Sequence, residues 1–451
     1  MKIGSKEPKL ERDINLFEAI IYGIGLILGA GIYALIGKVF DVTGSASWMA
    51  FLVAAGIALM TGLSYAELSS TFPKSAAEFT FVKEAFPTRK AFHFTVGWIL
   101  IFSGFISTAT VALGFGGYFI GLMGIPTWIN LAIVAIILIV ILTIVNFIGI
   151  DESAKVNIIF TFVEAAGVIF IIIIGFINLG GQSVNFFELP PSAPPIILAV
   201  LNAAALIFFA YVGFEDIANI SEETEKPTKT IPRALIISII VTTILYVLVA
   251  ISIAGSNISG SINPFAEVVS DFLGSDIAII LISIIALFAT ANTVLIMLIV
   301  GSRMIYGMSQ AGALPKIFSK IHKKTHTPWV AIIFAMIISI SFVFMGDIEI
   351  VARASVFAIL LIFFIVNVTL IYLRKTKPDL ERPFKVRPSI KWVPIFPLIG
   401  AITSFLLLIT FADMTSWTYY YIIFIILIII VIGLVIHFLL QWYKSRHEKS
   451  I

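Results

Sequence analysis

The sequence predicts an all-α polytopic membrane protein with twelve transmembrane helices. Hydrophobic residues make up 60% of the 451 residues and charged residues 12%, whereas soluble domains average about 45–50% and about 25%. The apolar runs have the length of membrane-crossing helices, about 20 residues, rather than that of barrel strands. The chain has no cysteine, which excludes disulfides, thiolate metal sites and cysteine nucleophiles.

The distribution of basic residues predicts the topology. Of the 29 lysine and arginine residues, 27 fall in the two tails and in alternate loops on the same side, and only Lys38 and Arg353 fall on the other side. Because basic residues concentrate in cytoplasmic segments, we expect both termini to be cytoplasmic. We expect no cleavable signal peptide, since residues 1–15 are polar and lead directly into the first span.

The predicted helices follow from the apolar runs and the residues that flank them. Asn15 and Glu18 have the spacing of a capping box at the start of helix 1, and Pro232 lies near the first turn of helix 7. A short surface helix is expected over 264–273. The twelve spans are predicted at 16–37, 46–67, 93–121, 128–148, 154–177, 196–222, 231–254, 276–306, 328–346, 348–373, 393–412 and 420–441.

Helix 1 contains five glycines between Gly23 and Gly37. Each disfavours a helix interior by about 1 kcal/mol relative to alanine. From residue 16 to residue 28 a helix extends only about 20 Å, short of the bilayer core of about 30 Å. We therefore predict a break near Gly29. The alternative is that Gly25 and Gly29, spaced as G-x-x-x-G, only allow close helix packing.

Helix 6 carries a second predicted break. Gly213, Glu215 and Asp216 occur where a span should be most apolar. Helices 1 and 6 begin two successive five-helix sets, and an odd number of helices gives the sets opposite orientations. Interrupted helices at matching positions of two inverted halves indicate a transport site at the bilayer midplane.

The broken ends predict the kind of ligand. The amide groups of Ala30, Gly31 and Ile32 begin a half-helix and suit a carboxylate. The carbonyl groups at Ile27 and Phe209 end half-helices and suit an ammonium group. An α-amino acid carries both charges on adjacent atoms.

The side chains at the breaks agree with this ligand. Gly29, Ala30 and Gly31 are small enough for a ligand to approach the backbone, and Phe209 or Tyr211 would cover it. The spacing of the glycines does not fit the dinucleotide-binding pattern G-x-G-x-x-G.

These residues resemble the amino acid–polyamine–organocation transporters. Helix 1 is close to that family's G-x-G-x-x-x-G-[AS]-G-I-[FY] signature, and the run from Phe208 to Glu215 matches its unwound helix 6 segment. The similarity covers nearly the whole chain in the family's order. Further matches are Glu222-Glu223 with Ile231-Pro232-Arg233-Ala234, Gly301-Ser302-Arg303 with Ala311-Gly312-Ala313-Leu314-Pro315, and Arg382-Pro383-Phe384-Lys385-Val386.

The resemblance implies an amino acid permease with a leucine-transporter-like five-plus-five inverted repeat, followed by helices 11 and 12. It implies carbonyl contacts from Ile27, Phe209 and Val212 to the substrate amine, and a gating role for Phe209. It also implies a role in coupling or helix linkage for Glu215.

The pocket that the resemblance implies is small and apolar, and Ala210 and Met297 belong to its expected lining. The expected divisions are the N-terminal tail 1–15, the first repeat 16–177, an extracellular loop 178–195, the second repeat 196–373, a basic cytoplasmic loop 374–392, helices 11–12 at 393–441, and the C-terminal tail 442–451.

Two segments depart from the family pattern. Many members have a lysine in a helix 5 run Asn-x-x-x-Thr-x-x-Lys, and here the run from Asn157 ends in Glu164. An ionised carboxylate in a span is costly, so Glu164 is expected to carry a proton or bind a cation, or to make a structural hydrogen bond. After helix 2, Ala76 and Ala77 replace the usual glycine pair.

Other polar residues of the spans are weaker candidates. Thr108, Thr110, Asn292 and Thr293 would line the pocket or bond their own helix backbone.

The predicted function is secondary active transport of α-amino acids across the plasma membrane by alternating access, as proton-coupled uptake of neutral amino acids. An amino acid or amine exchanger, a sodium-coupled symporter and a non-transporting membrane sensor are the alternatives. The short tails argue against a sensor. The expected partners are the amino acid, the coupled proton or sodium ion and membrane lipid, with the chain a monomer or homodimer. No enzyme activity, cofactor, metal or nucleic-acid partner is expected.

Overall fold

The computed structural model describes residues 10–124, 131–180, 183–191, 193–256, 264–344, 348–411 and 417–448. Within these ranges the chain is almost entirely helical. The α-helices are α1 Leu16–Leu28, α2 Ala30–Thr43, α3 Ser47–Thr71, α4 Ala77–Ala85, α5 Lys90–Met123, α6 Leu131–Ile148, α7 Ile150–Leu179, α8 Ile196–Ile207, α9 Pro227–Ser252, α10 Pro264–Leu273, α11 Ser275–Gln310, α12 Trp329–Val343, α13 Ile348–Thr376, α14 Ile395–Phe411 and α15 Trp417–Glu448.

The helices are those of a polytopic membrane protein. Among the described residues, 10 helical stretches are long and apolar enough to cross a membrane. Two shorter apolar helices, Trp329–Val343 and Ile395–Ile409, accompany them. The bounds agree with the predicted spans to within a few residues for most helices, and the start of predicted helix 4 lies outside the described residues.

Helix 1 is broken where the sequence predicts. The capping box is confirmed, because Asn15 Oδ1 accepts from the backbone of Glu18 at 3.1 Å and Glu18 Oε2 accepts from the Asn15 N–H at 2.8 Å. The helix α1 ends at Leu28, and α2 begins at Ala30. Between them, Gly29 has φ −35° and ψ −163°, so its backbone leaves the helical conformation.

Helix 6 is also broken, and its second half is wound more tightly than expected. After α8, residues Phe208–Tyr211 form one 3₁₀ turn, and Phe214–Glu223 form a 3₁₀ helix. Gly213 between them has φ +122°, a conformation that favours glycine. The predicted second half-helix therefore exists as a 3₁₀ segment rather than an α-helix.

Three features differ from the predicted helices. The helix α4 occupies part of the predicted loop after helix 2, beginning after Ala76 at φ +57°. The helix α9 starts at Pro227 and not near Pro232, because Pro227 takes the first helical turn, where no amide bond is lost. At the end of the basic loop, β1 Ser389–Ile390 pairs with β2 Val393–Pro394 in a small antiparallel ribbon, so the predicted helix 11 begins at Ile395 rather than at residue 393.

The segments predicted as cytoplasmic meet at one end of the bundle, here called the N-terminal end. Ile14 pairs with the segment after helix 6, where its N–H donates to the Glu223 carbonyl at 3.1 Å. Lys74 forms a 3.2 Å ion pair with Glu222. Lys377 donates a 2.8 Å hydrogen bond to the carbonyl of Glu84 in α4.

At the opposite end of the bundle, hydrogen bonds connect the other loops. Ser45 donates to the carbonyl of Ala254 after α9 at 2.9 Å, and Trp48 donates to the carbonyl of Phe186 at 3.0 Å. Between the two ends, α1 packs against α7 and α9, and α5 packs against α11. Both breaks therefore lie inside a bundle of spanning helices.

Candidate functional site

The two broken helices touch at their breaks. A Cβ atom placed on Gly31 would lie 2.9 Å from the Cα of Ala210, closer than side-chain carbons approach. On the other side of the contact, a Cβ on Gly213 would lie 3.3 Å from the Leu26 carbonyl oxygen. Glycine at these positions lets the two main chains meet directly, as a site built from both backbones requires.

The start of α2 presents main-chain N–H groups without a side-chain cap. Gly29 precedes the helix and has no side chain to accept from the first turn. The first N–H groups of a helix have no intrahelical acceptor and favour an anion. Ile32 is fully buried and Gly31 partly exposed, so these N–H groups face a confined interior.

Tyr246 of α9 connects the breaks. Its hydroxyl group lies 2.5 Å from the carbonyl oxygen of Ile27 and 3.3 Å from that of Ala210. The Ile27 carbonyl, which the sequence predicts to be open to a substrate amine, therefore already has a hydroxyl partner. A carbonyl oxygen has two lone pairs, so one acceptor position on Ile27 remains.

The residues of the helix 6 break have different environments. Tyr211 is buried and donates to the Phe51 carbonyl of α3 at 3.2 Å, which fixes it as an anchor rather than a mobile cover. Phe209, by contrast, is 37% exposed. Its carbonyl accepts from the Val212 N–H at 3.2 Å, so this expected amine contact also has an internal partner.

Glu164 lies in the middle of α7 with its side chain fully buried. Neither carboxyl oxygen has a hydrogen-bond partner among the described residues, although the Asn292 amide approaches it. Tyr33 of α2 and Tyr246 lie close enough to interact with its charge. Because an isolated ionised carboxylate in an apolar interior is very costly, Glu164 in this arrangement is suited to carry a proton.

A polar cluster next to Glu164 joins three helices. Asn157 donates to Asn292 Oδ1 at 2.8 Å, and Asn292 donates to Thr161 Oγ1 at 3.1 Å. A Cβ on Gly25 would lie 2.6 Å from Asn292 Nδ2, so Gly25 packs directly on this cluster. Gly25 therefore allows close packing, as the alternative interpretation of the glycines expected, and the helix is also broken at Gly29, four residues later.

Glu215 stabilises the helix 6 break. Its Oε2 accepts from the N–H of Gly213 at 2.8 Å, and its side chain is buried. The neighbouring Asp216 is partly exposed. Both line a cavity of about 40 Å³, which is room for about one water molecule. Val212 and Gly213 line the same cavity, which therefore connects the break with these two acids.

Three of the weaker candidates bond their own helices. The hydroxyl groups of Thr108, Thr110 and Thr293 donate to the carbonyl oxygens four residues earlier, at 2.8–3.0 Å. Thr293 also lies against Gly29, whose added Cβ would be 2.5 Å from its Oγ1. Asn292 differs from them, because it belongs to the polar cluster beside Glu164.

Sequence reasoning missed Tyr246 and Asn157 as site residues. Tyr246 lies in an apolar span, and only the crossing of α9 over both breaks shows its role. Asn157 belongs to the helix 5 run that resembles the family motif, and only the tertiary packing shows its contact with α11. A polar residue on one face of a long span was the available signal for both.

Comparison with known proteins gives the family. The amino acid permease family model matches residues 14–432. The chain is 30% identical to the branched-chain amino acid permease BcaP of Bacillus subtilis, over 99% of this chain and 96% of that protein. It is 28% identical to the methylthioribose transporter of Bacillus subtilis, over 88% of each chain.

A human protein is similar to the same extent. The cystine/glutamate transporter of Homo sapiens is 31% identical over 85% of this chain and 79% of that protein. The family model describes amino acid permeases, and the three relatives are a permease and two transporters rather than enzymes. These matches show that the chain belongs to the amino acid permease family.

Proposed function

We propose that the protein is a secondary active transporter that takes up neutral α-amino acids by alternating access around the two breaks. The observation that carries this proposal is the contact between the breaks, where the backbones of Gly31 and Ala210 meet. In this proposal the chain crosses the membrane twelve times as a leucine-transporter-like five-plus-five inverted repeat with helices 11 and 12 added. The membrane is the plasma membrane, with both termini in the cytoplasm.

The substrate carboxylate binds the N–H groups of Ala30, Gly31 and Ile32. These groups are uncapped and carry the positive end of the α2 dipole. The amine binds the remaining acceptor positions of Ile27 and Phe209 with the Val212 carbonyl. This assignment uses the backbone for the two charges that all α-amino acids share.

The side chains around the breaks favour an uncharged substrate. Gly29, Ala210 and Met297 offer no charge, and Phe209 is the mobile aromatic residue that closes over the ligand. The similarity to a branched-chain amino acid permease supports the same substrate class. Glu215 bonds the Gly213 N–H, so it shapes the break rather than pairing with a cationic side chain.

Glu164 couples transport to the proton gradient. Its two unpartnered oxygens lie in α7 against the polar cluster that contacts Gly25, and so against the first half of helix 1. Gain or loss of a proton there changes the charge beside the break. The proton is therefore released or bound when helix 1 moves.

The substrate class is tested with a thermal-shift screen of the purified protein against the twenty amino acids, common amines and methylthioribose. A ligand that binds the folded state raises the melting temperature. We expect neutral amino acids to do so. Methylthioribose has neither a carboxylate nor an amine, and stabilisation by it alone would contradict the backbone assignment.

Gly31→Val tests the amide cradle directly. The added side chain meets the Ala210 backbone, so we expect substrate binding to be lost while the protein is still produced. Gly117→Val is the control, because the space around Gly117 is open. Normal affinity in Gly31→Val would refute the cradle.

Coupling is tested by uptake into proteoliposomes. We expect uptake without internal substrate that a protonophore abolishes. Uptake that requires internal substrate and ignores the pH gradient would establish an exchanger instead. Uptake that depends on external sodium at constant pH would establish a sodium symporter.

A further inference from the structure

Glu78 is a buried acid outside the spans. It lies on α4 at the N-terminal end, and its side chain is fully buried. Its Oε2 accepts from Asn219 Nδ2 at 3.3 Å, while Asn219 Oδ1 accepts from the Ala77 N–H at 2.8 Å. Asn219 thus attaches α4 to the second half of helix 6. Glu78 Oε1 has no hydrogen-bond partner among the described residues.

Two further acids lie close to Glu78. Its charge interacts unfavourably with those of Glu215 and Asp216, and we name these three residues the carboxyl cluster. In a 3₁₀ helix residues three apart share one face, so Asp216 lies on the same side as Asn219. Three ionised carboxylates in this interior would repel one another strongly.

The basic groups around α4 have other partners. Lys83 of α4 lies over the ring of Phe79 at 5.9 Å, and His93 of α5 packs on the same ring at 5.1 Å. None of the ion pairs found among the described residues includes a member of the carboxyl cluster. The other nearby pairs are Lys74–Glu222, Lys377–Glu84, Arg374–Glu67 and Arg382–Glu67.

A buried hydroxyl group faces the same cluster from α3. Tyr65 is fully buried, and its hydroxyl has no hydrogen-bond partner within the described ranges. It lies close enough to Glu78 to interact with it. The Tyr65 hydroxyl can donate to an ionised Glu78 or accept from a protonated one, so the cluster has a buried partner on α3 for both forms of this acid.

We propose that the carboxyl cluster is a proton-binding site in which a proton on Glu78, beside the charges of Glu215 and Asp216, holds α4 against the second half of helix 6. Protonation converts the carboxylate of Glu78 into a carboxylic acid, which removes one buried charge and supplies an O–H donor beside Tyr65. Loss of the proton leaves a repulsion between α4 and helix 6. Any role of this site in transport rests on the proposed proton coupling. The binding of a proton to the site does not depend on that coupling.

Two observations support the site. Burial raises the pKa of Glu78 to about 7, although its own backbone, Asn219 and Tyr65 favour the charged form. This pKa lets Glu78 change charge near neutral pH. The water-sized cavity lined by Gly213, Glu215 and Asp216 provides contact between the cluster and the helix 6 break.

The experiment measures the melting temperature of the purified protein without substrate from about pH 5 to about pH 9. The folded state keeps the Glu78 proton up to about pH 7, whereas the unfolded chain releases it near its ordinary pKa of about 4.3. Stability from this group therefore falls as pH rises between these two values and is constant above them. We expect Glu78→Gln to flatten this part of the profile and to melt higher than the wild type at about pH 8.

Matched variants separate proton binding from general destabilisation. Glu225→Gln changes an exposed acid beside helix 6 and should keep the wild-type profile. Glu78→Asp retains a carboxyl group and should retain the pH dependence. An unchanged profile in Glu78→Gln would overturn the proposal. If sodium raised the wild-type melting temperature at about pH 8, but not that of Glu78→Gln, the site would bind a cation rather than a proton, and the proposal would also be overturned.

Infrared spectroscopy covers the case in which Glu78→Gln does not fold. In Glu164→Gln, the carboxylic acid absorption of buried groups should decrease as pH rises through about 7, because Glu78 loses its proton there. An absorption that stays constant through this range would overturn the proton on Glu78. Neither measurement needs transport, so a protein without proton-coupled uptake can still show the site, and a proton-coupled transporter can still lack it.

Discussion

Buried acids of two kinds occur in this helix bundle. Glu223 is bonded on both oxygens by Arg303, with Nε to Oε2 and Nη2 to Oε1 each at 2.9 Å. Glu164 is buried as deeply, and neither of its oxygens is bonded among the described residues. A bidentate pair keeps both partners charged, whereas an unpaired carboxylate in an apolar interior is favoured in its neutral form. Whether a buried acid keeps its charge or exchanges a proton therefore depends on its bonding partners and not on how deeply it is buried.

The paired acids hold together segments that are far apart in sequence. Glu67 of α3 binds both Arg374 and Arg382, and its Oε2 accepts from the Val386 N–H at 2.8 Å. The basic loop is thereby fixed to α3. Arg303 also donates to Asn146 of α6, so its network joins α11, α6 and the end of helix 6. These pairs secure the N-terminal end.

The largest expected effect is from Arg303→Met, which leaves Glu223 buried without a partner. Removing one member of a buried pair destabilises a protein by about 3–5 kcal/mol. We expect a markedly lower melting temperature in detergent. Arg89→Met, at an exposed position, is the control. If both variants melt like the wild type, the Arg303 pair is not a structural clamp.

Glu67→Gln should have a smaller effect on stability. It removes the charge that two arginines share, but glutamine keeps one side-chain oxygen that can accept from them, so we expect the loss of about one charged hydrogen bond, about 1.5–3 kcal/mol. We expect faster proteolysis within residues 374–391, because the loop loses its anchor on α3. A loop as resistant as in the wild type would show that the ribbon and α13 hold it without Glu67.

Glu164→Gln should change function and leave stability nearly unchanged. Glutamine has the size of the neutral acid, and the wild-type side chain has no ion pair to lose. We expect a melting temperature near that of the wild type and uptake whose rate no longer depends on pH. Glu188→Gln, an exposed loop acid, should keep the wild-type pH profile. A wild-type pH profile in Glu164→Gln would make Glu164 a structural residue.

The smallest effect is expected from Tyr246→Phe. It removes the hydroxyl that bonds the Ile27 and Ala210 carbonyls. Hydrogen bonds between membrane helices are worth about 0.6–1.7 kcal/mol, which corresponds to roughly 3- to 18-fold weaker substrate affinity. Isothermal titration would measure it. Tighter binding would instead show that the Tyr246 hydroxyl competes with the substrate amine for Ile27.

Much of the site was predictable from local sequence. The break at Gly29 follows from glycine density in a span, and the helix 6 break from Gly213 and the acids beside it. Glu164 was identifiable because a charged residue in an apolar run is costly and needs either a functional or a structural explanation. In each case the signal lies in the chemistry of a few consecutive residues.

Other parts required the tertiary structure. The helix α4 was missed because its first residues, after Ala76, carry no capping side chain, and without it Glu78 had no assigned place. Helix 6 continues as a 3₁₀ helix that packs against α9 and α3, and the sequence pattern did not distinguish this winding from an α-helix. The proton-binding proposal for Glu78 depends on both.

The sequence by itself determined that this chain is a membrane protein with two interrupted helices and an acid in a span. Apolar content, glycine density and isolated charge are properties of consecutive residues, so no partner is needed to read them. Only the tertiary structure decided which acids are paired. Arg303 reaches Glu223 across 80 residues of sequence, while Glu164 meets no basic side chain among the described residues, and that difference arises from how the helices cross.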